Sequence, residues 1–421
     1  MDRFSINPVN LIQALSMALE LAVGGVNTHL WRTAVICRFI ANEMGIRLTD
    51  QQPLLYAALM HDIGAAPYIS EWEKLRDIAD MHRWGKELFD HAEAGYRLLD
   101  DSVYFNNIAL FVRHHHDDWD GRNTSGRTGD DIPLFSRIIL VADRVEVAIN
   151  KEKPILFQRD RICDFIASES GRSFDPDVVE VFMRCARKEV FWLDLGNPGY
   201  YVRFFAGLKA QGQTQFTIEE VLNIAEMYAT IIDRMSIFTA THSRSVSRVA
   251  VLLASHHGFC ENELKMIRVA GLLHDIGKLS IPNEILEKPG KLTDHEMMIV
   301  RQHTYYTYRV LQQIDNFDLI AQWAAFHHET LDGEGYPFKV EGPSLTLGSR
   351  IMAVADIFVA LAENRPYRKR MGRPDIEKIM TDMAKNGKID RRIVDTLFDY
   401  YQDADNIVLE IHAMENAYRA S

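Results

Sequence analysis

Histidine and aspartate recur twice along this chain in one order. His29, His61-Asp62, His91, His115-His116 and Asp143 in the first half are matched by His242, His274-Asp275, His303, His327-His328 and Asp356 in the second, at an offset of 212 or 213 throughout. Ten of the 16 histidines belong to these two sets. A single histidine on a helix most often fills a core edge or a surface position. Burying five imidazoles and two carboxylates together without an ion would leave unpaired polar groups in a dry interior, which is costly. Imidazole with carboxylate suits Zn, Mn, Fe, Co or Ni, whereas Mg and Ca prefer oxygen ligands. His274 and Asp275 diverge by about 100° on a helix, so His274 can face one ion while Asp275 reaches between two. A carboxylate spanning two ions implies a separation of about 3.5 to 4 Å, as in two-metal hydrolytic centres where hydroxide attacks phosphorus in line.

Such a set needs several elements to hold it, and the sequence pattern makes them helices. Ile218, Val221, Leu222, Ala225, Ile232 and Met235 recur at spacings of three, four and seven, the buried stripe of one helix. Similar stripes cover 8 to 23, 53 to 62, 134 to 149, 262 to 274 and 344 to 362, and alternating strand patterns are scarce. The expectation is an all-α chain of two duplicated domains. The stretch 193 to 216, rich in Gly, Pro and Gln, separates the repeats, giving domains 1–205 and 206–421.

Composition narrows the chemistry. A length of 421 residues with 47% apolar side chains fills real cores and excludes a disordered or disulfide-held chain. A net charge of −12 disfavours nucleic acid polymers and acidic membranes but leaves room for a small anionic ligand. Cys37, Cys163, Cys185 and Cys260 form no Cys-x-x-Cys pair, so no thiolate zinc knuckle or redox motif is encoded, and a reducing cytoplasm is the simplest location. The first 30 residues lack the character of a signal peptide, and no uncharged apolar run is long enough to span a bilayer. Neither half carries a Gly-rich phosphate loop or a Rossmann fingerprint.

The motifs around the second set are THSRSV at 241 to 246, AGLLHDIGKLSIPNEIL at 270 to 286, RQH at 301 to 303, HHETLDGEGYP at 327 to 337 and AVADIFVALAENRPYR at 353 to 368. On these motifs the chain resembles the HD superfamily of metal-dependent phosphohydrolases, and residues 217 to 400 are similar to its HD-GYP branch. That resemblance implies a tandem of HD-type helical domains and a bacterial signalling enzyme that hydrolyses a cyclic dinucleotide, cyclic di-GMP or 3′3′-cyclic GMP-AMP, to a linear 5′-phosphorylated dinucleotide. It implies one metal held by His242, His274, Asp275 and Asp356 and a second by His303, His327 and His328, with Asp275 bridging. Fe or Mn is favoured, with Ni, Co or Zn as alternatives. Lys278 matches the lysine that contacts the scissile phosphate, where a cation neutralises developing charge. Arg365 and Arg368 match positions that clamp substrate phosphates. Glu329 is placed to orient His328 or water, and Gly333, Gly335, Tyr336 and Pro337 build a loop in which the glycines permit positive φ. Some branch members bind a third metal through a glutamate four residues before the first ligand; Phe238 stands there, so two metals are expected.

The first repeat keeps the ligand pattern and loses the rest. Ala65 replaces the lysine, GRNTSG at 121 to 126 replaces GEGYPF, and NKEKPI at 150 to 155 replaces NRPYRK. This half therefore resembles a divergent HD domain whose candidate metal ligands are His29, His61, Asp62, His91, His115, His116 and Asp143. The triplet at 114 to 116 leaves a one-residue ambiguity, resolved in favour of His115-His116 by their distance to Asp120-Gly121. Arg122 and Arg127 are either phosphate contacts or solvated loop charges. The alternative activity, a 5′-nucleotidase or general nucleotide phosphohydrolase, fits this half best, and a noncatalytic messenger sensor is the remaining reading. The expected partners are a cyclic dinucleotide and an intramolecular contact between the two domains, with no nucleic acid polymer and no membrane; a homodimer is compatible with the sequence.

Overall fold

The computed structural model describes residues 3–22, 29–68, 86–210, 212–234, 241–288, 290–364 and 368–420. These are overwhelmingly helical and divide into two compact units, 7–213 on one side and 1–6 with 214–421 on the other. The cut expected near 205 falls inside the Pro198–Lys209 helix, and the change of unit comes after it. The first six residues also leave the first half: Arg3–Ile6 pairs antiparallel with Thr214–Thr217, Ile6 opposite Thr214, in the one two-stranded sheet among the described residues. A four-residue strand shows no helical period, and its partner is distant in sequence, so no local pattern reveals this pairing.

In the 214–421 unit the expected stripes become helices. Ile218–Arg234 buries Ile218, Val221, Ala225 and Ile232, while Met235 lies outside the described residues. Glu261–Leu273 and Leu347–Ala362 carry the other two stripes, the latter capped by Thr346, whose Oγ1 accepts from the Ser349 N–H. Asp294–Leu311 begins with a reciprocal cap between Thr293 and Glu296. In the 7–213 unit, Pro8–Ala22, His29–Glu43, Gln52–Met60, Lys86–Asp100, Asn106–Arg113 and Leu134–Val147 repeat this order.

A glycine in each unit fixes how two ligand-bearing elements approach. A Cβ on Gly277 would lie 1.9 Å from the His303 carbonyl oxygen, and one on Gly64 would lie 2.1 Å from that of His91. Only glycine lets the 3₁₀ turn after the His-Asp pair press onto the helix carrying the next histidine. Among the described residues, no helix is long and apolar enough to cross a membrane.

Candidate metal centres

His242 opens the His242–Ser255 helix, His274 follows Glu261–Leu273, and His303 lies within Asp294–Leu311. His327 and His328 follow Asp318–Ala325, and Asp356 lies within Leu347–Ala362. Their ligand atoms converge in three overlapping groups, His242–His274–Asp356, His274–Asp275–His327 and His303–His327–His328, each with its atoms within 4.8 Å of one another.

Asp275 joins the groups. Its Oδ2 is 3.2 Å from His274 Nε2 and 3.9 Å from His242 Nε2, while its Oδ1 is 3.6 Å from His303 Nε2. The geometry behind this differs from the helical step expected from the sequence. The helix closes at Leu273, His274 keeps helical dihedrals, and Asp275 turns off with φ −102 and ψ 10 to start the Ile276–Ser280 3₁₀ turn. The end of the helix, rather than a continuous helical face, aims the carboxylate.

The imidazoles are oriented from behind. Nδ1 lies 2.8 Å from the Gly271 carbonyl in His274, 2.6 Å from that of Val300 in His303 and 2.6 Å from that of Ala324 in His327. Donation by Nδ1 to these carbonyls fixes the tautomer and leaves the Nε2 lone pair facing the cluster. His242 instead has Nδ1 3.0 Å from Glu363 Oε2. His274 Nε2 is buried and has no hydrogen-bond partner, as a ligand atom awaiting an ion would be. Burial pushes His303 down to about 3 and His327 well below its ordinary value, so both are neutral donors at pH 7. Burial opposes ionisation of Asp275, yet His274 and the Lys278 ammonium beside it hold its carboxyl well below the usual carboxylate range. Imidazoles with their Nε2 atoms turned to carboxylates held in the ionised form, with His303 and His327 neutral, fit a pair of transition-metal ions.

The remaining residues of the second half divide. Lys278 Nζ donates to Asp275 Oδ2 at 2.5 Å with about a fifth of its side chain exposed. Arg368 donates to the carbonyls of Ala360 and Leu361, capping the Leu347–Ala362 helix; Arg365 and Phe238 lie outside the described residues. Glu329 does not turn to His328: its carboxylate accepts from the N–H groups of Phe338 at 2.8 Å and Val340 at 3.0 Å, stapling the loop. Within that loop Gly333 has φ 73, whereas Gly335 is needed for space, since a Cβ would lie 2.4 Å from Glu329 Cα. Tyr336, joined to Pro337 by a cis peptide, lays its ring 4.9 Å from that of His328, and the Arg301 guanidinium lies over the Tyr336 ring at 5.1 Å.

The 7–213 unit reproduces the cluster. Asp62, His91, His115 and His116 form one group and His29, His61 and Asp143 another. Asp62 Oδ2 is 3.2 Å from His29 Nε2 and 3.3 Å from His61 Nε2, while Oδ1 is 3.5 Å from His91 Nε2, so this carboxylate also spans two histidine groups. The triplet resolves as His115 and His116 in the cluster, with His114 Nδ1 turned 2.8 Å from Asp117. Asp117 also accepts from Ser125 Oγ at 2.6 Å, anchoring the replacement loop much as Glu329 anchors its own. Arg122 pairs with Asp120 and Arg127 with the Asp131 carbonyl, both exposed. The cation beside this cluster is Arg144, buried, with Nη2 3.3 Å from His116 Nδ1 and Nε 3.8 Å from Asp143 Oδ2.

Sequence reasoning missed several supporting groups. Glu146 and Glu363 hold the first histidine of each set and follow the last aspartate by three and seven residues, Glu146 within its helix and Glu363 at the C-cap of its own. Glu20 and Asp233 each stand nine residues before that histidine and bond the residue after it, Glu20 Oε1 accepting from the Leu30 N–H and Asp233 Oδ1 from Ser243 Oγ, both at 2.9 Å. The 213-residue offset relates Glu20 to Asp233 and could have revealed them.

HD-domain family profiles match residues 26–148 and 226–393. The 3′3′-cGAMP-specific phosphodiesterase 1 of Vibrio cholerae is 30% identical over 416 residues, covering 94% of this chain and 93% of that one. The cyclic di-GMP phosphodiesterase response regulator RpfG of Xanthomonas campestris is 41% identical over 133 residues, 31% of this chain and 35% of that one. The crystal structure of a cyclic GMP-AMP-specific phosphodiesterase of V. cholerae superposes with a TM-score of 0.66 at 25% identity, covering 94% of this chain and 98% of that one. With two HD domains in one helical chain and a relative matched from end to end, this protein belongs to the HD superfamily of metal-dependent phosphohydrolases.

Proposed function

We propose that this chain is a metal-dependent phosphodiesterase that opens a cyclic dinucleotide to a linear 5′-phosphorylated dinucleotide, with the reaction in the 214–421 unit. The observation carrying this reading is Asp275, whose two oxygens face two groups of buried histidines while Lys278 stands beside it. A bound transition-metal pair, Fe or Mn by the family resemblance, would supply Lewis acidity and activate water at neutral pH. His242, His274, Asp275 and Asp356 would hold one ion and His303, His327 and His328 the other. Lys278, partly exposed, can leave Asp275 for a phosphate oxygen and neutralise charge that grows towards the transition state. Tyr336 and the loop stapled by Glu329 fix the face of His328. The end-to-end relative named for 3′3′-cGAMP, against partial matches named for cyclic di-GMP, favours 3′3′-cGAMP as substrate. Such a substrate goes with a cytoplasmic location, as do four free cysteines.

Metal-loaded protein is incubated with 3′3′-cGAMP, cyclic di-GMP and cyclic di-AMP in parallel, and the products are resolved by mass. The expected result is a linear dinucleotide, fastest from 3′3′-cGAMP, that disappears together with bound metal in Asp275→Ala. No linear product from any of the three would overturn the reading.

A second chemistry is favoured in the 7–213 unit by its intact bridging geometry at Asp62 and by Arg144, a forked cation beside the cluster where the other unit has Ile357. That unit would hydrolyse a nucleotide phosphate. Asp275→Ala protein should still release inorganic phosphate from a linear 5′-phosphorylated dinucleotide, and added Asp62→Ala should stop it; no phosphate with Mn, Fe, Co, Ni or Mg would end this reading.

A further inference from the structure

Each first-ligand histidine is held from behind by a buried carboxylate, and the far oxygen of each carboxylate faces a second basic side chain, hydrogen-bonded in one unit and in ion-pair contact in the other. In the 7–213 unit Glu146 has Oε2 against His29 Nδ1, while Oε1 accepts from Arg32 Nη1 at 2.7 Å. Arg32 is itself fixed, its Nε donating to the Leu195 carbonyl and the Tyr201 hydroxyl. Arg32 stands one turn after His29, on the same helix. The position equivalent to Arg32 in the second repeat is Ser245, which cannot reach across as a guanidinium does. There the basic group is a different one: Glu363 Oε2 lies 3.0 Å from His242 Nδ1, and Oε1 is in ion-pair contact, at 3.4 Å, with Nε2 of His412 on the Tyr401–Ala420 helix. The Thr241 hydroxyl, next to His242 in the chain, is also 3.3 Å from His412 Nε2.

We infer that His412 is a positioning residue for the metal centre of the 214–421 unit, acting through Glu363 on His242; this rests on the metal-centre reading above. The physical reason is rotational. A carboxylate held at one oxygen can pivot about its terminal torsion, and its imidazole partner pivots with it, moving Nε2 away from the ligand position. A second grip on the far oxygen removes that freedom. Both units place a carboxylate behind the first histidine, but from different positions, three and seven residues after the last aspartate, and the basic group beside it stands on the ligand helix in one unit and on the C-terminal helix in the other.

Full-length protein carrying Asp62→Ala, which removes the bridging carboxylate of the other unit, is titrated with Mn²⁺ while the free-ion EPR signal is followed. The parent is compared with His412→Leu and His412→Arg, the latter supplying the group used at Arg32. About a third of the His412 side chain is exposed, so neither change empties a core. Loss of a group behind a metal ligand typically costs 10- to 100-fold in affinity, so Leu should weaken Mn²⁺ binding about 10-fold. Arg should stay within about 3-fold of the parent. Cleavage by the Leu variant should need correspondingly more Mn²⁺ and recover at saturating metal. Equal affinity in the Leu variant, or equal loss in Leu and Arg, overturns the inference. A parent that binds no Mn²⁺ at all overturns the metal-centre reading itself, and the inference falls with it.

Discussion

Lys278 and Asp275 share one oxygen contact, and that contact gives the lysine two separable roles. It can maintain the carboxylate, or it can serve the phosphate. A group worth more in the transition state than in the ground state lowers turnover when lost without loosening the metals. Lys278→Ala should therefore reduce single-turnover cleavage about 10²-fold with both ions still bound, and Lys278→Met, of similar length without charge, should fail alike. Metal analysis on the same samples checks the assignment, since loss of ions would reduce Lys278 to maintaining the site. The sequence placed this residue by resemblance, but its contact with Asp275 depends on the 3₁₀ turn that carries both.

Helix ends, more than helix faces, build these clusters. His274 and Asp275 straddle one, His327 and His328 follow another, and His242 begins a third. Gly277 and Gly64 let such an end sit against a neighbouring helix backbone. Gly277→Ala should destabilise by about 2 to 4 kcal/mol, seen as a lowered unfolding midpoint, because a backbone must move to admit the methyl. Asp233 and Glu20 tie the first-ligand helices to the helices before them, and burial pushes their carboxyls up to about 7 and about 8. A folded-state value above the unfolded one means that stability is fully present below the unfolded value and lost as pH rises through the folded value. Asp233→Asn keeps an acceptor for Ser243 and removes the titration. Its stability relative to the parent should rise by roughly 1 to 3 kcal/mol between pH 5 and 8; a difference independent of pH would show that Asp233 ionises normally in the fold.

At the scale of the whole molecule, two clusters with the same ligand order carry different cations. Lys278 touches Asp275, whereas Ala65 gives Asp62 no such contact and Arg144 stands near Asp143. The asymmetry argues for one cyclic dinucleotide site per chain. Asp275→Ala should abolish ring opening, and Asp62→Ala should leave most of it, as measured by linear product formation at equal loading of the 214–421 unit. Disappearance of cleavage in a folded, metal-loaded Asp62→Ala protein would reassign the catalytic half. The net charge of −12 makes a local cation beside each cluster all the more necessary for an anionic substrate.

The order and spacing of histidine and aspartate determined the duplication, the helical class and the composition of both clusters, because ligand chemistry restricts residue type and helical burial leaves a period. Tertiary structure decided what spacing cannot encode. The pairing of Arg3–Ile6 with Thr214–Thr217 moved the first residues into the second unit, since strand partners are chosen by proximity in space rather than in sequence. Glu329 went to the loop N–H groups instead of His328, Arg368 to helix-end carbonyls, and Glu363 and Glu146 to the first histidines. Each of these is a buried or partly buried polar group that must find a hydrogen-bond partner, and for Glu363 and Glu146 the packing supplies one more than a hundred positions away.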